Sequence, residues 1–447
     1  MPELLQDVAA PRGTPEHALR SRQLGTVLLL FGGYAACYFC RADLSVATPL
    51  LIDDLGRHGI AHSEAVVRIG VMASLGVLAY ALGKLFLTGL GDFWGGRPNF
   101  LLGLGGAMTF TLLFAVAGAV PVFTLAWVGN RLTQSIAWAG LIKVSSKWFD
   151  YSSYGMIIGI LSISYLVGDA AARQCMALLI DQGWGWRGLF AFAGSVAAVF
   201  LVANLLWLRE SRVDAGFHEA KANPLNVFGD AETRPQKLSA LLLPLFRSRA
   251  FVIVCLLSLG CTIVRETFNL WTPAYLRDYA GYSMSGAAGM SAIFPAVGVA
   301  SVLIAGWGSD RLGPNGRALL MFVGLTASVF ALVLLTAVKP TASGPLLPAL
   351  AIGMVAFCLL GPYSYLGGAF ALDFGGKQAG AVSSGLIDGV GYLGGVLAGD
   401  SVARLSVAYG WRGVFAALAV ITAISALAAG YLYVLGVRAR RSGQHVA

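Results

Sequence analysis

Charge is scarce in this sequence: 22 Asp and Glu with 31 Lys and Arg make up 12% of 447 residues. A soluble globular chain carries about a quarter. Histidine is scarcer, with five, and none falls in an apolar run. The six cysteines (Cys37, Cys40, Cys175, Cys255, Cys261, Cys358) sit inside apolar runs without the spacing of a ligand set. That excludes a disulfide scaffold and a zinc site, and no cofactor is expected. No Walker loop is present, so ATP is not the expected energy source. No nucleophile–base or metal constellation is present, so an enzyme is not expected. The start, "MPELLQDVAAPRGTPEHALRSRQ", is polar and lacks an apolar h-region, so no cleavable signal peptide is expected. The net charge of +9 would suit nucleic acid. However, the basic residues cluster in loops and tails beside apolar runs, so they are read as topology signals, with no nucleic-acid partner.

What is abundant is apolar length. Hydrophobic residues make up 57% of the chain, in long blocks separated by short polar loops, the pattern of a polytopic protein in a lipid bilayer. Twelve spans are expected: 24–52, 69–90, 100–120, 122–146, 155–180, 187–208, 251–276, 286–308, 318–338, 346–371, 380–404 and 412–436. The fold class is therefore all-α membrane protein, with twelve helices in two six-helix bundles. The domains are an N-terminal segment 1–23, a bundle 24–208, a central loop 209–250, a bundle 251–436 and a tail 437–447. Eighteen Lys and Arg lie in the termini and even-numbered loops and seven in the odd-numbered loops. That bias places both termini and the central loop in the cytoplasm, with an inner (plasma) membrane as the expected location.

The halves repeat. "GWRGLFA" at 185–191 returns as "GWRGVFA" at 410–416, a shift of 225 residues. Arg41 returns as Arg265, a shift of 224. "GLGDFWGGR" at 89–97 is echoed by "GWGSDRLGPNGR" at 306–317, with Asp92 and Asp310 offset by 218. Parallel repeats related by an axis along the membrane normal place a substrate site between the halves at mid-depth.

Arg41 lies inside "YAACYFCRADLSVATPLLI", long enough to span the bilayer. An arginine at the centre of a span costs about 2.5–3.5 kcal/mol on insertion scales, so its presence marks a functional site. The surrounding motifs supply the context. They are "FGGYAACYFCR" in span 1, "AYALGK" in span 2, "QSIAWAGLIKVSSKWF" in span 4, "VRETFNLWTPAYL" in span 7 and "GAFALDFGGKQAGAVSSGLIDGVGYLGG" in spans 10 and 11. Together they resemble the organophosphate:phosphate antiporters of the major facilitator superfamily, over nearly the whole chain. The resemblance implies a carrier of a small phosphorylated organic anion that works by alternating access in exchange for inorganic phosphate, as a monomer. It implies that Arg41 and Arg265 grip the phosphate, with Lys84 close by. Tyr34, Tyr38 and Tyr392 would line the pocket, and Tyr165 stands at the family's span-5 histidine position. Lys143, Asn269 and Asp388 complete the candidate substrate-binding set. A dianion would accept bidentate bonds from both guanidinium forks and draw the halves together. Without it, like charges would resist closure, which favours exchange.

Several acids depart from this pattern. Asp169 and Arg173, spaced i,i+4, are expected to pair. Asp388 either pairs across the bundle, binds an ammonium group of the substrate or carries a proton. "NRLTQ" in span 4 looks like the Arg-x-x-Gln signature of proton-coupled facilitators, with Asp43 and Arg131 as a possible coupling pair. A proton-coupled organic-anion symporter is therefore a second reading, and a transporter-like membrane sensor of organophosphates is a third.

Overall fold

The structure is a computed structural model and describes residues 16–87, 94–220, 245–312, 315–338 and 346–441. Residues 1–15, the turn bearing Asp92, most of the central loop and the tail beyond 441 lie outside the described residues. In lipid every backbone N–H and C=O must be satisfied within the chain, and helices do this segment by segment. The apolar blocks accordingly form α1 (Glu16–Arg57), α2 (His62–Phe86), α3 (Gly96–Val116), α4 (Val120–Trp148), α5 (Tyr151–Asp181) and α6 (Trp186–Trp207). The second half contributes α7 (Arg249–Asp278), α8 (Met284–Met290), α9 (Ile293–Leu312), α10 (Gly316–Ala337), α11 (Leu346–Tyr363), α12 (Ala371–Gly395) and α13 (Asp400–Arg441).

Each of the twelve expected spans has a counterpart. The eighth is split into α8 and α9. The eleventh is α12 plus the first turns of α13, and the twelfth is the rest of α13. Gly410 divides those two spans: its φ of +68° is left-handed and breaks α13. By length and hydropathy alone, ten helical stretches among the described residues qualify as membrane spans. The count falls short of twelve because Ser383–Arg438 reads as one stretch. In addition, Asn130, Arg131 and Gln134 lower the hydropathy of α4. The outward faces are apolar: Val420, Ile424 and Leu427 of α13 are each at least 60% exposed, which suits lipid.

In the first half α3 packs on α4 and α6, and α1 packs on α5 and α6; in the second, α10 packs on α11 and α13, and α7 on α12. The seam between halves is made by α1, α2 and α5 against α7, α8, α9, α12 and the start of α13. At one point on this seam the backbones nearly touch. A Cβ built on Gly399 would collide with the carbonyl oxygen of Gly70. Beside it, Ser74 Oγ donates to Val396 O and accepts from Asp400 N at 2.8 Å.

The end of the first half where α1 begins and α6 ends is tied by Glu210. Its carboxylate accepts from the N–H groups of Gly96 (2.9 Å) and Arg97 (2.6 Å) at the start of α3, and from Lys147 Nζ (2.5 Å) at the end of α4. Burial pushes this carboxyl up. The hydrogen bonds from Lys147, Arg97 and Gly96 outweigh that effect and hold it below the usual carboxylate range.

Candidate functional site

The two arginines at offset 224 meet on the seam, and a carboxylate stands between them. Glu266 Oε1 accepts from Arg265 Nη2 at 2.6 Å and from Arg41 Nη2 of the other half at 3.5 Å. Its Oε2 lies 3.9 Å from Arg131 Nη2. All three arginines and Glu266 have side chains no more than 10% exposed. Aromatic faces share the positive charge. The guanidinium carbons of Arg41 and Arg131 lie 5.0 and 4.8 Å from the centre of the Tyr80 ring, and that of Arg265 lies 4.6 Å from Tyr363.

The other expected residues distribute around this centre. Tyr392 OH accepts from Arg265 Nη2 at 2.9 Å, and its ring packs on Tyr80. Tyr38 OH accepts from Arg41 Nη1 at 3.4 Å. Its ring contacts Tyr34 and Tyr165, and Tyr165 lines a small cavity with Arg41, Arg265 and Asn269. Lys84 donates to Asp388 Oδ2 at 2.9 Å across the seam, and both groups are partly exposed. Of the possibilities open for Asp388, the structure displays the cross-bundle pair.

Three expectations change. Lys143 is not part of this centre. It lies twelve residues along α4 from Arg131, about 18 Å at 1.5 Å per residue, and lines a surface cleft with Arg97, Lys147 and Glu210. Asp43 does not pair with Arg131. Asp43 Oδ1 accepts from Leu44 N at 2.6 Å, and its buried Oδ2 has no hydrogen-bond partner. The reason is helical geometry: residues i and i+2 point about 200° apart, so when Arg41 faces the seam Asp43 cannot. Lastly, the arginines are not bare. Glu266 already neutralises part of their charge across the halves, so repulsion alone does not hold the halves apart.

The seam is closed on one side of this centre. Arg173 pairs with Asp169 at 2.9 Å, as the i,i+4 spacing predicts. It also donates to Ser291 Oγ (3.0 Å) on the second half and to the carbonyl of Asn269 (2.8 Å) on α7. Ser45 Oγ donates to Leu270 O at 2.8 Å, and Gln174 Nε2 to Gly289 O at 2.9 Å. These bonds sit toward the end that carries the α1–α2 and α7–α8 connections. A cavity of about 50 Å³ lies between them and the arginines, lined by Arg41, Arg131, Arg173, Glu266, Trp127 and Asn269 among others.

Tyr80, Glu266 and Tyr363 are central here yet absent from the expected site. A signal for the α7 residues was present. "RADLSVATP" at 41–49 and "RETFNLWTP" at 265–273 align at the same offset of 224, matching Arg, Thr and Pro. The alignment puts Glu266 one residue after an arginine already singled out.

The family model of the Major Facilitator Superfamily matches residues 30–399. A "Probable hexose phosphate transport protein" of Chlamydia muridarum is 24% identical, over 89% of this chain and 88% of that protein. A "Probable L-galactonate transporter" of Escherichia coli is 29% identical, over 78% of this chain and 76% of its own. Among solved structures, a bacterial homologue of the human lysosomal transporter Spinster superposes with a TM-score of 0.74 at 16% identity. It covers 94% of this chain and 98% of its own, and shows the same fold.

Proposed function

Because the chain belongs to the Major Facilitator Superfamily, and is thus a membrane transporter rather than an enzyme, we propose that it carries a small phosphorylated organic anion by alternating access, with inorganic phosphate as the exchanged anion. One observation carries this reading: Arg41 of the first half and Arg265 of the second converge, with Arg131, on one buried point of the seam. Arginine forks suit a phosphate headgroup, which offers several acceptor oxygens to both halves at once. A site that grips the headgroup accepts free phosphate by the same contacts, and exchange follows. The similarity to a hexose phosphate transport protein supports the same substrate class.

The three arginines and Glu266 sum to a net charge of +2 (three minus one), which a phosphate monoester dianion would neutralise. The ion pairs Lys84–Asp388 and Arg173–Asp169 flank the centre and are neutral as pairs. The inner membrane of a bacterium, cytoplasmic termini and a monomeric carrier complete the proposal.

The similarity to an L-galactonate transporter supports the second reading, a carboxylate carrier driven by protons. Counterflow in proteoliposomes separates the two. Vesicles loaded with phosphate should take up labelled phosphate and sugar or glycerol phosphates, and this uptake should not need a proton gradient. Uptake of sugar acids driven by an inward proton gradient, with phosphate inert, would replace the first reading with the second. Binding of organophosphates without flux would identify a sensor.

A further inference from the structure

Glu266 occupies the place that a transported anion would take. It touches Arg265 of its own helix and reaches Arg41 and Arg131 of the other half. Its stem is packed, since a Cβ on Gly395 would lie 3.3 Å from Glu266 Cγ. One carboxylate does not satisfy the donors around it. Arg131 Nε and Nη1, Arg265 Nε and Trp127 Nε1 are buried without a hydrogen-bond partner. Arg131 and Trp127 also line the cavity of about 50 Å³ beside Glu266. The centre therefore has more donors than acceptors, more positive than negative charge, and adjoining space.

We infer that Glu266 determines specificity: as a tethered carboxylate holding the Arg41–Arg131–Arg265 centre in the empty carrier, it excludes monoanions and admits small phosphate or phosphonate dianions that can displace it. This rests on the reading that the arginine centre is the anion site.

The reasoning is competitive. An incoming monocarboxylate brings the same charge and the same two acceptor oxygens as Glu266. It would replace a tethered group with an untethered one and must overcome the effective concentration of the tether, on the order of millimolar for short flexible links. A phosphate dianion brings three acceptor oxygens and a second charge. It can engage donors that Glu266 leaves unmatched, and it brings the centre to neutrality. Selection thus depends on ionic valence, independently of the organic part of the substrate.

The test uses purified full-length chain at about pH 8, where phosphate monoesters are dianions. Dissociation constants are measured for inorganic phosphate, methylphosphonate, gluconate and dimethyl phosphate, the last two being monoanions. In the wild type the two dianions should bind, and the two monoanions should bind at least about tenfold more weakly. In Glu266→Gln, gluconate and dimethyl phosphate should gain about tenfold or more, while phosphate binding is kept or tightened. A merely structural Glu266 would instead weaken all four ligands together in the variant. The inference is overturned if the wild type binds dimethyl phosphate or gluconate as tightly as phosphate. It is equally overturned if Glu266→Gln binds phosphate but still rejects both monoanions. The wild-type series decides the matter alone if the variant does not fold. Wild-type protein that binds neither phosphate nor methylphosphonate refutes the organophosphate reading itself, an outcome distinct from loss of selectivity.

Discussion

Arg173 Nη2 donates at 2.8 Å to the main-chain carbonyl of Asn269, the carbonyl that Pro273, four residues on in α7, leaves without an intrahelical donor. A proline placed for helix geometry thereby creates an acceptor for the opposite half. Arg173→Gln should loosen this closure. A charge-assisted hydrogen bond contributes about 1.5–3 kcal/mol, so the ratio of open to closed forms at this end should rise about 10- to 100-fold. Labelling of Asn269→Cys, which keeps the main-chain carbonyl, by a membrane-impermeant maleimide should accelerate accordingly. Unchanged labelling would show that Arg173 does not hold the seam.

The arginine centre makes a graded prediction. Arg41→Ala and Arg265→Ala should each abolish phosphate counterflow in protein that remains folded. Arg→Lys at either position should also weaken binding strongly, by about tenfold or more, because the fork is lost. Lys84→Ala should cost less, since Lys84 is already paired with Asp388. Equal losses for all three would argue against Arg41 and Arg265 as the principal ligands.

How much of this was legible in the sequence depended on the range of the interaction. The spans were readable because hydropathy acts locally. The seam was readable because a repeat at 224 residues forces pseudo-equivalent depths on Arg41 and Arg265. The Asp169–Arg173 pair was readable because i,i+4 neighbours share a helix face. Glu266 stands beside Arg265 in the span-7 motif, but its partners come from α1 and α4, whose approach to α7 depends on the packing of the whole bundle. The Asp43–Arg131 pairing failed on a point the sequence did contain, since Arg41 and Asp43 cannot face the same way. Lys143 was misplaced because chemical type was weighed without the 1.5 Å rise that separates it from Arg131.

Asp43→Asn tests the proton-coupled alternative. Asp43 makes no ion pair with Arg131, so the substitution should leave phosphate counterflow intact and add or remove no proton-driven accumulation. Vesicles with and without internal phosphate, under an inward proton gradient, provide the comparison. Accumulation in the wild type that requires no internal phosphate and disappears in Asp43→Asn would make Asp43 the coupling residue.

Glu210 gives the fold an acid sensitivity of known sign. Its carboxyl is held below the usual range in the folded protein. Its contribution to stability is therefore complete above the unfolded value and is lost as the pH falls through the depressed folded value. Thermal unfolding in detergent should show the wild type losing stability across that acid window, with Glu210→Gln less stable near neutrality and flatter below it. Parallel profiles for the two proteins would exclude Glu210 from the acid response.

Glu266 also bears on energy conservation. A carrier whose centre supplies part of its own counter-charge meets a smaller electrostatic penalty in turning over unloaded. Each unloaded return lets one anion cross without a returning partner, and the gradient that exchange would preserve is dissipated. The leak should be set by how well Glu266 substitutes for cargo, so the residue that sharpens selectivity would do so at the expense of tight stoichiometry. Phosphate-loaded vesicles placed in anion-free buffer should lose phosphate slowly through the wild-type protein and more slowly still through Glu266→Gln, while both exchange rapidly when phosphate is outside.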